Sequence, residues 1–82
     1  MQVTLKLFAT LTRFLPETAE KNLVKLEVEE GTTPLDLIQR FQLPEKEVHL
    51  VLLNGVYLYE SDRLKPLNED ATLAIWPPVA GG

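Results

Sequence analysis

The residues with the most chemistry to offer stand together at positions 77–82, Pro77-Pro78-Val79-Ala80-Gly81-Gly82. Proline cannot donate to a strand ladder and fixes its own φ, so Pro77-Pro78 ends a strand and favours an extended course away from the sheet. Val79 and Ala80 are small to medium, and Gly81 and Gly82 carry no side chain. Such a segment can thread a narrow active-site channel and allows close backbone approach. Glycine makes up about 7% of residues, so a chance Gly-Gly pair here arises in roughly one chain in 200. The reactive group is the carboxylate of Gly82. A carboxylate is a poor electrophile until its oxygen becomes a good leaving group. Adenylation by a partner's ATP does that, and attack by a sulfide or persulfide then leaves a thiocarboxylate on Gly82.

The chain contains no cysteine. A side-chain persulfide, a disulfide and a thiolate metal site are therefore closed to it, and any sulfur it carries is held at Gly82. The other polar residues offer little. His49 is the only histidine, with no acidic cluster at ligand spacing, and reads as a strand residue rather than a metal ligand. Glu27, Glu29 and Glu30 read as a solvated face, and Ser61-Asp62, with no histidine nearby, reads as a turn. No phosphate-binding glycine loop is present, so ATP belongs to a partner and no cofactor or metal is expected on this chain.

At 82 residues the chain is one domain, and it needs a compact, well-patterned core because it has no staples. Its hydrophobic content of 45% argues against disorder. A formal net charge of −4 argues against nucleic acid, whose phosphates reward Lys and Arg. No apolar run approaches the roughly 18 residues of a membrane span, and Met1-Gln2-Val3-Thr4 does not read as a signal peptide. A cytoplasmic location is the expectation.

The elements that must position the tail follow from periodicity. Val3, Leu5 and Leu7 alternate with Thr4, Lys6 and Phe8, and Val24, Leu26 and Val28 alternate with Lys25, Glu27 and Glu29. Period two predicts two strands, each with one buried face, paired antiparallel across a long connection holding one helical turn near Ala9–Leu15. The period then changes. Thr33 can cap a helix, Pro34 suits its first position, and Asp36 sits where a capping-box acid would. Leu35, Ile38 and Phe41 follow at helical spacing as core residues, and Leu43-Pro44 closes a helix of about 8–10 residues. Val48–Leu53 is apolar at nearly every position, which fits a strand covered on both faces or one with a face left for a partner. Asn54-Gly55 is a strong hairpin signal, leading to a short strand at Val56–Tyr59. Polar turns follow, and the last strand is Thr72–Trp76.

Two hairpins around one main helix, on a mixed sheet of about five strands, is an α+β fold of the β-grasp (ubiquitin-like) type. The domain is expected over residues 1–76, with 77–82 as a flexible C-terminal Gly-Gly tail. Strand parity adds a surface. If Leu5, Leu7, Leu73 and Ile75 face the helix, Phe8 and Trp76 lie together on the opposite face, and Tyr57 joins them. Grouped exposed aromatics mark a binding patch, continued by Pro77, Pro78 and Val79.

Leu7-Phe8-Ala9, Leu67 followed by Asn68-Glu69-Asp70, and the ending Trp76 to Gly82 together resemble the MoaD/ThiS family of sulfur carriers over the whole chain. The similarity is greatest to the MoaD-type small subunit of molybdopterin synthase. The resemblance implies a non-catalytic, sulfur-donating subunit of an enzyme complex. Gly82 would be activated by a ubiquitin-activating-type (MoeB/ThiF-like) adenylating enzyme. The tail would then enter the large catalytic subunit and donate sulfur to a pyranopterin, in molybdenum or tungsten cofactor synthesis. Segment 43–55 also looks similar to ThiS-type carriers of the thiamine thiazole pathway, and a ubiquitin-like modifier joined through Gly82 to lysines is a third possibility.

Overall fold

The computed structural model describes residues 1–78. The expected strands and helix are all present: β1 (Gln2–Leu7), β2 (Leu23–Glu27), α1 (Pro34–Arg40), β3 (Leu50–Leu53), β4 (Val56–Tyr57) and β5 (Thr72–Trp76). Short 3-10 turns at Ala9–Phe14, Glu45–Glu47 and Glu60–Leu64 fill the connections. The sheet has five strands in the order β2-β1-β5-β3-β4. β1 and β5 run parallel in its middle, and the other pairs are antiparallel. The mixed sheet with one α-helix is the expected α+β, ubiquitin-like β-grasp.

One face of the sheet makes the core. Val3, Leu5 and Leu7 of β1, Val24 and Leu26 of β2, Val51 of β3, and Leu73 and Ile75 of β5 are all buried and pack with Leu37 and Ile38 of α1. Period two in the strands meets period 3.6 in the helix, so a single apolar layer is closed by both. The helix starts as its residues require: Thr33 Oγ1 accepts from Asp36 N at 3.1 Å, and Asp36 Oδ2 accepts from Thr33 N at 2.9 Å.

The helix ends earlier than Pro44 would demand. It has 7 residues, because Gln42 turns into the left-handed region at φ 56°. Gln42 N donates to Gln39 O and Leu43 N to Ile38 O, both at 3.0 Å. That is a Schellman stop built without glycine, with buried Leu43 against buried Ile38. The shorter helix buries Pro34, Leu37 and Ile38. Leu35 and Phe41, expected in the core, are only half-buried.

Two strand boundaries also shift. Val48 N closes the preceding 3-10 turn on Glu45 O, so β3 begins at Leu50 rather than Val48, and His49 lies just before the strand. β4 stops at Tyr57; Leu58 is buried, and Tyr59 caps the next 3-10 turn. The turn between β3 and β4 is as expected. Asn54 and Gly55 have φ of 51° and 82°, both left-handed. Asn54 also ties the hairpin to β5, its N donating to Thr72 O and its Oδ1 accepting from Thr72 N, each at 2.8 Å.

Candidate functional site

β5 is the strand that leads into residues 77–82, so its surroundings are the root of the proposed reactive segment. Its alternation is strict at the end: Ile75 is fully buried against the core, and Trp76 faces the other way, half-buried. β1 runs beside it in register, with Leu7 opposite Ile75. Phe8 N then donates to Ile75 O at 3.2 Å, which holds Phe8 next to Trp76. The two rings stack with centroids 4.1 Å apart and planes 3° from parallel. The expected pairing of Phe8 with Trp76 is thus present. Immediately after Phe8, Ala9 is forced to φ 53°, a left-handed turn that an alanine adopts at a cost of about 1 kcal/mol or more.

The patch extends across the sheet because directly paired residues share a face. Leu50 pairs with Trp76, and Leu52 pairs with both Ala74 and Tyr57. Leu50 and Leu52 are half-buried, and Tyr57 is 51% exposed. β3 therefore has a second apolar face that is only half covered, which speaks against a strand covered on both faces. Tyr59 meets Tyr57 edge-on, with centroids 4.8 Å apart and planes at 75°, and is itself 65% exposed. His49, Leu50, Tyr57, Trp76 and Pro77 line a shallow cleft of about 360 Å³. His49 N donates to Trp76 O at 3.1 Å, which fixes the cleft's floor.

Of the residues singled out in the sequence, the structure brings Phe8, Tyr57, Trp76 and Pro77 to this one face, with Pro78 next along the chain. Val79, Gly81 and Gly82 lie outside the described residues. Leu50, Leu52, Tyr59 and His49 were not singled out for this surface. The signal for the two leucines was the doubly apolar pattern of β3. Tyr59 carried the same parity signal as Tyr57, two residues before it in the expected strand, whereas parity in Val48–Leu53 sets His49 on the face opposite Leu50.

A larger groove of about 420 Å³ lies elsewhere, between α1 and the 3-10 turn at Glu60–Leu64, and half-buried Leu35 lines it. It holds none of the expected site residues. Among the described residues no group of three or more His, Cys, Asp or Glu could hold a metal ion. No described helix is long and apolar enough to cross a membrane.

Solved structures share this fold. SAMP1 from Haloferax volcanii is 25% identical over the full length of both chains, with a TM-score of 0.69. The HVO 2177 protein of Haloferax volcanii is 22% identical, covering 100% of this chain and 87% of its own, with a TM-score of 0.76. A complex of subunits 1 and 2 of molybdopterin-converting factor from Helicobacter pylori contains a chain 21% identical over both full lengths, with a TM-score of 0.61. These neighbours share the β-grasp fold that the resemblance to MoaD-type proteins implies. No curated protein matches the chain. A family model described as Mut7-C ubiquitin matches residues 1–72, a stretch that includes Phe8 and Tyr57 and stops short of Trp76. The chain belongs to the Mut7-C ubiquitin family.

Proposed function

We propose that this protein is a ubiquitin-like sulfur carrier whose working group is the carboxylate of Gly82. The observation that carries the reading is the aromatic face at the root of the tail. Phe8, Trp76, Leu50, Leu52 and Tyr57 form one apolar surface beside the strand that runs into Pro77-Pro78 and on to Gly81-Gly82. A partner that grips this face is placed to receive the segment that follows.

The chemistry needs two steps on the partner. A Gly82 carboxylate oxygen attacks the α-phosphorus of the partner's ATP, and pyrophosphate leaves. Sulfide then attacks the acyl carbon and AMP leaves, giving the thiocarboxylate. A persulfide doing so gives an acyl disulfide, whose S–S bond a partner thiol cleaves, forming a disulfide with the donor sulfur and freeing the thiocarboxylate. The activating partner is an adenylating enzyme of the ubiquitin-activating type. The sulfur acceptor is a pyranopterin held by the large subunit of molybdopterin synthase. The fold shared with a subunit 1 solved in complex with its subunit 2 supports that choice of partner. A cytoplasmic location, where both enzymes and ATP are at hand, completes the proposal.

A second reading is a modifier joined through Gly82 to lysines, with which the ubiquitin-like fold is also compatible. Intact-mass measurement on protein recovered from its own cells separates them. Exchange of one oxygen for sulfur at Gly82 supports the carrier, and a lysine-linked adduct supports the modifier. Neither form, together with full activity after removal of Gly82, would overturn both. Rescue of a molybdenum-cofactor-deficient strain, against rescue of a thiamine-requiring one, tests the choice of acceptor.

A further inference from the structure

β2 is an edge strand, at the side of the sheet opposite β4. The ladder to β1 shows which of its backbone groups are free. Met1 N donates to Val28 O and Val28 N to Met1 O, both at 2.8 Å, while Leu7 N donates to Asn22 O at 3.0 Å. Antiparallel pairs alternate between bonded and unbonded, so Val3–Leu26 and Leu5–Val24 are the bonded pairs between these limits. Leu23, Lys25 and Glu27 therefore turn their N–H and C=O outward.

The two ends of that edge are already closed. Leu23 exchanges both of its bonds with Glu20, at 2.9 and 3.0 Å. Glu29 O is taken by Thr32, from its N at 3.2 Å and its Oγ1 at 2.7 Å. Between Leu23 and the Glu29 carbonyl, a run of four groups remains open among the described residues: N–H and C=O of Lys25, and N–H and C=O of Glu27. Both side chains are exposed.

We propose that this edge pairs with the β2 of a second copy, antiparallel about a two-fold axis through Leu26. In that register Lys25 lies opposite Glu27 of the other copy, and Glu27 opposite its Lys25. Each pair exchanges two backbone bonds, so all four open groups of each copy are satisfied and none beyond them is needed. Each pair also sets an ammonium against a carboxylate on the same face, and the two-fold axis makes this happen twice. The neighbouring registers fail on both counts. One sets Lys25 against Lys25 and calls on the occupied groups of Leu23. The other sets Glu27 against Glu27 and calls on the occupied carbonyl of Glu29. A lysine on an edge strand usually guards it against pairing. Here Glu27, two residues along on the same face, supplies the matching charge. Glu27 meets Met1 N at only 3.8 Å and is itself 80% exposed, so its carboxylate is open to a stronger partner.

The product is one continuous sheet with five strands from each copy, both helices on one side and both aromatic faces on the other. The interface is short, so the dimer is weak and concentration-dependent. It uses the edge away from β4 and does not depend on the chemistry of Gly82.

Sedimentation equilibrium of the full chain over a wide concentration range tests this. The expected result is a monomer–dimer equilibrium. Lys25→Glu and Glu27→Lys should each weaken it about tenfold. The double exchange should restore it, and an equal mixture of the two single variants should associate where neither does alone. Amide exchange should slow at Lys25 and Glu27 as the dimer fills. Circular dichroism of each variant checks the fold. A monomer at every concentration up to about millimolar, a dimer indifferent to the single charge reversals, or single losses that neither the double variant nor the mixture repairs would each overturn the proposal. So would amides at Lys25 and Glu27 that stay open in the dimer, because another surface would then be responsible.

Discussion

The two faces of the sheet are built from similar residues and do different work. The face under α1 holds Leu5, Leu7, Leu73, Ile75 and Val51 at essentially no exposure. The other face holds Trp76, Phe8, Leu50, Leu52 and Tyr57, half-buried or exposed, and Tyr57 stays largely open even with the Tyr59 ring edge-on against it. A fully covered apolar residue contributes to folding through the water it excludes and the contacts it makes. An uncovered one holds that contribution in reserve for a partner. The comparison teaches that hydrophobicity along β3 and β5 cannot be assigned to stability or to recognition until one knows which face the helix takes.

Neighbours on β5 break the comparison most directly. Ile75→Ala should cost about 2–5 kcal/mol of stability, read from the denaturant midpoint, because it leaves a cavity under the helix. Trp76→Ala, one residue on, should cost about 2 kcal/mol or more of binding to the proposed adenylating partner by calorimetry. Its stability loss should be nearer 1 kcal/mol, for the ring stack on Phe8. If Trp76→Ala instead destabilised the fold as much as Ile75→Ala and left affinity unchanged, the open face would be a second core.

Smaller effects sharpen the contrast at the ends of elements. Asn54→Ala should cost about 1–3 kcal/mol, since alanine strains the left-handed turn and leaves Thr72 N without its acceptor. Thr33→Ala should cost about 1 kcal/mol through the lost cap. Gln42→Gly should stabilise by about 0.5–1 kcal/mol, because glycine takes the left-handed helix stop without strain, partly offset by its freer unfolded chain. Thermal melts of all three, with partner affinity unchanged, would keep these residues on the stability side of the division.

Much of this was legible in the sequence. The strands β1, β2 and β5 follow from period two, and the capping box and Asn-Gly hairpin follow from side chains whose hydrogen bonds are local. The Phe8–Trp76 stack was legible too, because strand parity and the adjacency of β1 and β5 place the two residues without further information. The helix stop was not, since Gln42 does a glycine's task and nothing in its side chain announces it. The start of β3 was misplaced because Val48 is apolar whether it belongs to a turn or to a strand. Leu35 and Phe41 kept helical spacing yet ended half-buried, because a helix of 7 residues shows only a narrow stripe to the sheet. Tyr59 shares the parity of Tyr57 in the expected strand, yet it reaches the open face from the cap of a turn rather than from a ladder.

β1 and β5 are far apart along the chain and side by side in the middle of the sheet. Without β5 the sheet falls into two unconnected hairpins, neither of which stands well alone in water. Closing that central pair spans nearly the whole domain, and the entropy of so long a closure slows folding. The strand that completes the scaffold is also the one that delivers residues 77–82. If the proposed activating enzyme grips the aromatic face, an unfinished or misfolded copy offers it nothing to hold, and the architecture itself would screen which molecules reach the proposed chemistry.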